Sequence, residues 1–198
     1  ARSGDYVTAL KEWRPLAEQG DVDAQFNMGW VYNNAGGAIQ DYKEAVKWYR
    51  LAAEQGYVKA QHNLGLIYDL GEGVIQDYQE AVKWYRLAAE QGYAKSQNNL
   101  GVMYGNGYGV ITDYKEAVKW YRLAAEQGHA DAQNNIGRMY VFGNGVLQDY
   151  EAALKWWRLS VEKGNAEAQT SLGVMYEYGF GVIQDKVLAY MWHNISAS

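Results

Sequence analysis

Three histidines, His62, His129 and His193, are the side chains best suited to proton transfer or metal ligation near neutral pH. They stand at unrelated positions, and none has a His or carboxylate at the spacing of a zinc-ligand set. Each is read as a surface or packing histidine. Carboxylates such as Glu44 and Glu54 are placed on exposed helix faces, where they are solvated. Ser and Thr are few and no G-x-S-x-G elbow occurs. Gly-x-Gly recurs, as at Gly71 and Gly73, but without a preceding strand or the G-x-G-x-x-G spacing that a phosphate loop requires. The absence of Cys removes disulfides, thiolate ligands and a cysteine nucleophile. The expectation is a chain with no catalytic centre, no metal and no cofactor.

A formal net charge of -5 argues against a nucleic-acid partner, because phosphate binding draws on clustered Lys and Arg. No run of 18 apolar residues is present, so no membrane-spanning helix is expected. The chain opens at Ala1 without a Met or an apolar leader. It is therefore expected to be a processed or trimmed form whose signal peptide is already absent. The 18 Tyr and 8 Trp, beside only 3 Phe, demand a regular use.

A repeat supplies that use. Asp recurs every 36 residues at Asp5, Asp41, Asp77, Asp113, Asp149 and Asp185, and Gly keeps step at Gly20, Gly56, Gly92, Gly128 and Gly164. The string EAVKWYRLAAEQG stands unchanged at 44–56, 80–92 and 116–128. A fixed period of this length marks a repeat array. Each unit holds two helical patterns. In helix A, Ala60, Leu64, Ile67 and Tyr68 form one face; in helix B, Ala81, Val82, Tyr85, Ala88 and Ala89 form another.

The helix ends are legible too. Asp77 with Glu80 reads as a capping box, in which Asp accepts from first-turn amides and Glu reaches back; Asp41 with Glu44 and Asp113 with Glu116 repeat it. In the linker after helix A, glycines make the bend and Val74 tucks into the core. Gly65, Gly101, Gly137 and Gly173 sit inside helix A, where each costs about 1 kcal/mol relative to Ala. Repeating that cost implies close approach of an aromatic ring from helix B: Tyr49, Tyr85, Tyr121 and Trp157 are the candidates. Trp48, Trp84, Trp120 and Trp156 are expected to pack between adjacent repeats.

The pattern A-x-x-N-L-G-x-x-Y, G-x-G-V, D-Y-x-E-A-V-K-W-Y-R-x-A-A-E-Q-G, cleanest over 60–92, resembles the Sel-1-like repeat family, a relative of the tetratricopeptide repeats. The resemblance covers nearly the whole chain. It implies an all-α fold, a right-handed α/α superhelical solenoid of antiparallel helix pairs with a concave face. It also implies adaptor or scaffold work on a protein or peptide partner, often in exported bacterial proteins, so a periplasmic or secreted location is favoured over the cytoplasm. Some relatives are credited with binding or hydrolysing β-lactams, which makes a serine hydrolase the enzyme-class alternative; no motif here supports it. Self-assembly through the repeats is a further alternative, although a monomer is expected. The expected organisation is one repeat domain, 1–198: a capping helix over 1–20, then repeats at 21–56, 57–92, 93–128, 129–164 and 165–198. The ends depart from the pattern. Pro15 stands where Leu51 recurs and is expected to bend or break the opening helix. Ala35 and Ala38 replace the first linker's Gly and Val. Asp185-Lys186-Val187-Leu188 lacks both the Tyr and the capping Glu.

Because the frame is nearly constant, positions that differ between copies mark candidate binding surface. The residue after the helix A Gln runs Phe26, His62, Asn98, Asn134, Thr170. The residue after the helix A Gly runs Trp30, Leu66, Val102, Arg138, Val174. Three further on come Asn33, Asp69, Gly105, Val141 and Glu177. Spaced by four and three, these sets share one helix face, which by analogy with tetratricopeptide repeats points into the concave groove. Phe26, Trp30 and Arg138 are the expected anchors, since aromatic and Arg side chains dominate binding energies. Phe26 and Trp30 read equally well as a cover over the first repeat. Asn63, Asn99 and Asn135 are assigned to bracing neighbouring turns ahead of contacting a ligand backbone.

Overall fold

The structure, a computed structural model, describes residues 3–35 and 37–196, without the side chains at 3, 4, 38 and 196; Ala1 and the Ala38 side chain, named above, lie outside the described residues. The described residues hold eleven α-helices, one short 3-10 turn at Gly37–Ile39 and no strand. The helices are α1 (Ser3–Glu18), α2 (Val22–Asn34), α3 (Tyr42–Glu54), α4 (Val58–Leu70), α5 (Tyr78–Glu90), α6 (Ala94–Asn106), α7 (Tyr114–Glu126), α8 (Ala130–Phe142), α9 (Tyr150–Glu162), α10 (Ala166–Tyr178) and α11 (Lys186–Ser196). Even numbers from α2 are the A helices and odd numbers from α3 the B helices. The chain divides into two compact units, Ala1–Ser96 with Tyr108–Val110, and Gln97–Gly107 with Ile111–Ser198.

The B helices start where the Asp residues place them. Asp77 is extended at φ -143°, and its carboxylate accepts from the Gln79 and Glu80 amides at 3.0 Å each. Asp41 and Asp113 do the same for α3 and α7. The capping box is only half formed. The Asp77 amide donates instead to the Tyr68 carbonyl at 2.9 Å, which ties the start of α5 to the end of α4. Glu80 turns the other way and accepts from Trp84 Nε1 at 2.9 Å, as Glu44 does from Trp48 at 3.0 Å. Glu44 is thus anchored to an indole rather than simply solvated. Asp185 still caps α11, accepting from Val187 and Leu188 at 2.9 Å without the usual Glu.

The mid-helix glycines meet the rings expected of them. A Cβ built on Gly101 would lie 2.6 Å from the Tyr121 ring, and one on Gly65 would overlap Tyr85. Gly29 meets Tyr49 and Gly137 meets Trp157 in the same way. With Gly65 facing Tyr85 at mid-helix and Tyr68 tied to Asp77, the α4–α5 pair is antiparallel. In the linker, Gly73 has φ +69°, and any side chain there would run into Tyr42; Val74 packs on the core.

Buried glutamines join successive repeats. Gln91 Nε2 donates to Gln61 Oε1 at 2.7 Å, and Gln61 Nε2 donates to the Ala53 carbonyl at 3.1 Å. Gln55 and Gln25 make the same pair, as do Gln127 and Gln97. Lys163 breaks the series: it stands where the donor Gln would be, and Gln133 Oε1 is left buried without a partner. Arg14, Arg122 and Arg158 reach from one repeat to the Tyr32, Tyr140 and Tyr176 hydroxyls of the next. Trp48 and Trp84, each under 5% exposed, pack across successive repeats, Trp48 with Ala17, Ala24 and Met28 and Trp84 with Ala45, Ala52 and Leu64.

Pro15 does not break α1, which runs through it to Glu18. One ladder bond is forfeited there, and the turn beyond is held by Ala17, buried against Met28 and Trp48.

Candidate functional site

The three variable series of helix A behave differently. The first is largely internal. Phe26 packs its ring 5.7 Å from Tyr49 and 4.9 Å from Tyr57, inside the first repeats rather than on an open face. His62 is buried: Nδ1 lies 2.9 Å from Ser96 Oγ, and its ring edge meets Tyr93. Asn98 is buried and accepts from Asn135 Nδ2 at 3.1 Å. Asn134 is buried and donates to Glu167 Oε2 at 2.9 Å. Thr170 alone is exposed, bonding back to the Ala166 carbonyl. The expectation of an open face is corrected for His62, Asn98 and Asn134, which are buried, while Phe26 is half-buried. The partner of each buried polar member lies one repeat along the chain. Asn135 braces α8 on α6 through Asn98, as expected of the repeated Asn.

The second series lines open clefts. In the first unit a cleft of about 310 Å³ is bordered by Trp30, Asn33 and Leu66, with Tyr49, Asn63 and Leu70. Trp30 is 42% exposed, with one edge against Tyr6. In the second unit a cleft of about 310 Å³ is bordered by Val102 and Arg138, with Gly105, Tyr121, Asn135, Met139 and Phe142. Arg138 is exposed and makes no ion pair or hydrogen bond among the described residues. Val174 is also exposed.

Two members of the third series, Asp69 and Glu177, pair with the ring that fills the helix A glycine. Tyr85 donates its hydroxyl to Asp69 Oδ2 at 3.1 Å. Glu177 Oε2 lies 3.6 Å from His193 Nε2. His193 therefore takes the place held by Tyr or Trp in the other repeats, its ring against Gly173. Val141 corresponds to Trp157, whose Nε1 donates to the Asn134 carbonyl at 3.1 Å. Asn33 Oδ1 is buried without a partner. Gly105 offers no side chain to Tyr121, whose hydroxyl makes no hydrogen bond among the described residues. Burial raises the Tyr121 pKa to about 12, against the opposing pull of the Arg138 charge, so this hydroxyl is a donor at neutral pH.

Asp69 carries a testable consequence. Burial lifts its carboxyl above the ordinary value of 3.8, partly offset by the bond from Tyr85. The folded chain then holds the proton more readily than the unfolded chain between those two values. The stability this group contributes is full below 3.8 and is lost as pH rises through the folded value. Asp69→Asn keeps an acceptor for Tyr85 and removes the charge. Its melting temperature relative to wild type should rise with pH across that interval; a relative melting temperature that falls there would contradict the burial argument.

The clefts offer apolar walls with hydroxyl and amide groups and, in the second unit, the Arg138 guanidinium. Among the described residues no group of three His, Asp or Glu is placed to hold a metal ion. No described helix is long and apolar enough to cross a membrane. Ile75, Ile111, Leu147 and Ile183, at one linker position in four repeats, are each about 90% exposed. Their signal in the sequence was an aliphatic residue recurring beside the core Val, a place where strict helical periodicity gives no direction.

Residues 22–57, 58–93, 94–129, 130–165 and 166–198 each match the Sel1 repeat family model. No curated protein matches the chain. Among solved structures, the chain is similar to a protective antigen of uropathogenic Escherichia coli strains displaying an SLR fold, at 44% identity and a TM-score of 0.89. That likeness covers 95% of this chain and 40% of the antigen, so the chain spans about two fifths of that protein's length. It is similar to a Sel1 repeat protein from Oxalobacter formigenes at 35% identity and a TM-score of 0.82, covering 94% of this chain and 75% of the other. A Klebsiella pneumoniae structure described as a sel1 repeat protein matches at 26% identity with a TM-score of 0.57, covering 95% of this chain and 91% of the other. With helix pairs in the expected register, five matched repeats and these neighbours, the chain belongs to the Sel1 repeat family, whose members generally act as non-catalytic protein-interaction scaffolds.

Proposed function

We propose that this chain is a monomeric, non-catalytic adaptor that holds a peptide or partner protein against the clefts bordered by its A helices. One observation carries the reading. At the position of Trp30, Leu66, Val102, Arg138 and Val174 the residue changes from repeat to repeat while the surrounding frame is repeated, and the first four border open clefts rather than the core, with Val174 exposed. Packing does not dictate such residues, and partly exposed Trp and Arg are the side chains best suited to anchor a partner.

Affinity capture from lysate and envelope fractions of the source organism tests this, with wild type beside a Trp30→Ala/Arg138→Ala variant whose melting curve is unchanged. A protein held by wild type and lost from the variant supports the clefts as the site. Equal capture by both moves the site elsewhere on the chain. Self-assembly is the second reading, favoured by the exposed Ile75, Ile111, Leu147 and Ile183. Sedimentation that shifts to larger species with concentration would select it over a monomeric adaptor.

A further inference from the structure

The repeats supply an internal template for the second-unit cleft. In the first unit the Tyr85 hydroxyl is satisfied by the Asp69 carboxylate at 3.1 Å. The residues equivalent to Tyr85 and Asp69 one repeat later are Tyr121 and Gly105. Tyr121 is only 6% exposed, yet its hydroxyl faces the cleft with no hydrogen-bond partner among the described residues. A Cβ at Gly105 would lie 3.7 Å from that hydroxyl, an ordinary contact, so the carboxylate's place is open rather than filled by another group. On the same cleft stands Arg138, at a position that is apolar in every other repeat. Arg14, Arg122 and Arg158 are engaged by Tyr hydroxyls, while Arg138 makes no hydrogen bond or ion pair among the described residues. One acidic side chain has been removed from the chain here and one guanidinium added.

We infer that this cleft is a subsite for an acidic side chain of a bound polypeptide, whose carboxylate takes the place of Asp69's by accepting from the Tyr121 hydroxyl and the Arg138 guanidinium. A guanidinium and a hydroxyl together suit a carboxylate, because charge-assisted hydrogen bonds are about twice as strong as neutral ones. Val102, Met139 and Phe142 form the cleft's apolar wall, so the residue next to the acid is apolar. A chain of net charge -5 gives such an acidic ligand little general attraction, which makes the local cation decisive. The inference rests on the adaptor reading, since it states the chemistry of what one of its clefts holds.

The test uses the full chain, ¹⁵N-labelled, titrated by NMR with N-acetyl-Phe-Asp-amide, its Phe-Asn counterpart, N-acetyl-Phe with a free terminal carboxylate, and inorganic phosphate. The Phe-Asp probe should shift the Gly105 amide and the Arg138 side chain saturably. The Phe-Asn probe should bind about 10-fold more weakly or worse. Arg138→Gln, at an exposed position, should lose binding by about the same factor. Gly105→Asp should lose it as well, because the chain then supplies the carboxylate itself; the space and ordinary φ at Gly105 accommodate that side chain. Equal binding of Phe-Asp and Phe-Asn overturns the inference, as does undiminished binding by both variants. Tighter binding of the free terminal carboxylate assigns the site to chain ends, and tighter binding of phosphate makes it a general anion site; either overturns it. No saturable shift at millimolar probe also overturns it. Partner capture that survives alongside a failed titration refutes only this subsite. A successful titration with no captured partner refutes the adaptor reading and leaves the subsite standing.

Discussion

Replacing Gly65 by leucine should destabilise the chain by about 3 kcal/mol or more, at the upper end of what overpacking a core does. Helix propensity alone favours the change: a mid-helix glycine is about 1 kcal/mol worse than alanine. Packing reverses the sign. A Cβ at residue 65 already overlaps the Tyr85 ring, and Tyr85 is fully buried and has no free direction in which to move. Even Gly65→Ala should therefore lose stability. Urea denaturation followed by circular dichroism would check both variants, and the double variant Gly65→Leu/Tyr85→Ala should recover part of the loss by making room. A stable Gly65→Ala would show that the glycine serves the backbone and not the ring. Gly56→Ala is the matching control. It meets nothing within 4 Å but sits at φ +89°, so its cost is conformational and about 1 kcal/mol.

The pairing of Gly65 with Tyr85 was legible in the sequence because both residues repeat, and a repeated unfavourable choice needs a repeated cause. The Asp caps were legible for the same reason. Variation proved less transparent. His62, Asn98 and Asn134 differ from copy to copy and looked like free surface, yet each is buried against a residue about one repeat away: Ser96, Asn135 and Glu167. A position can therefore vary between copies while packing still dictates what fills it. His193 was hidden differently. It differs in type from the Tyr and Trp of the other repeats, although the 36-residue period places it at the position of Trp157, opposite Gly173. Glu80 was misdirected because capping chemistry considers only backbone donors, while the indole of Trp84 one turn along offers a buried N–H that needs an acceptor more. The Trp30 and Arg138 clefts lay between these cases: the residues were marked by variation, and Gly105 leaves space in the Arg138 cleft.

Trp84→Ala should lose about 3–5 kcal/mol, the range for deleting a buried aromatic. Trp84 is 4% exposed and packs on Ala45, Ala52, Leu64 and Tyr49 across successive repeats, so its removal leaves a cavity that neither repeat can close alone. Its Nε1 donates to Glu80, and the Arg50 and Lys83 cations lie 5.9 and 5.4 Å from the ring. Trp84→Phe separates these effects, keeping most of the volume while orphaning the Glu80 contact. Trp120 is the built-in comparison. It is equally buried, but its Nε1 has no partner, and Glu116 turns to Lys119 at 2.9 Å instead. A buried donor without an acceptor is a liability of about 1–3 kcal/mol, so Trp120→Phe removes a cost while Trp84→Phe removes a bond. Denaturation midpoints should therefore fall clearly for Trp84→Phe and little or not at all for Trp120→Phe. Equal losses would mean that the indole–carboxylate bond contributes nothing beyond ring volume. The repeated Glu would then be explained by its contact with Lys alone, and the tryptophan by its bulk.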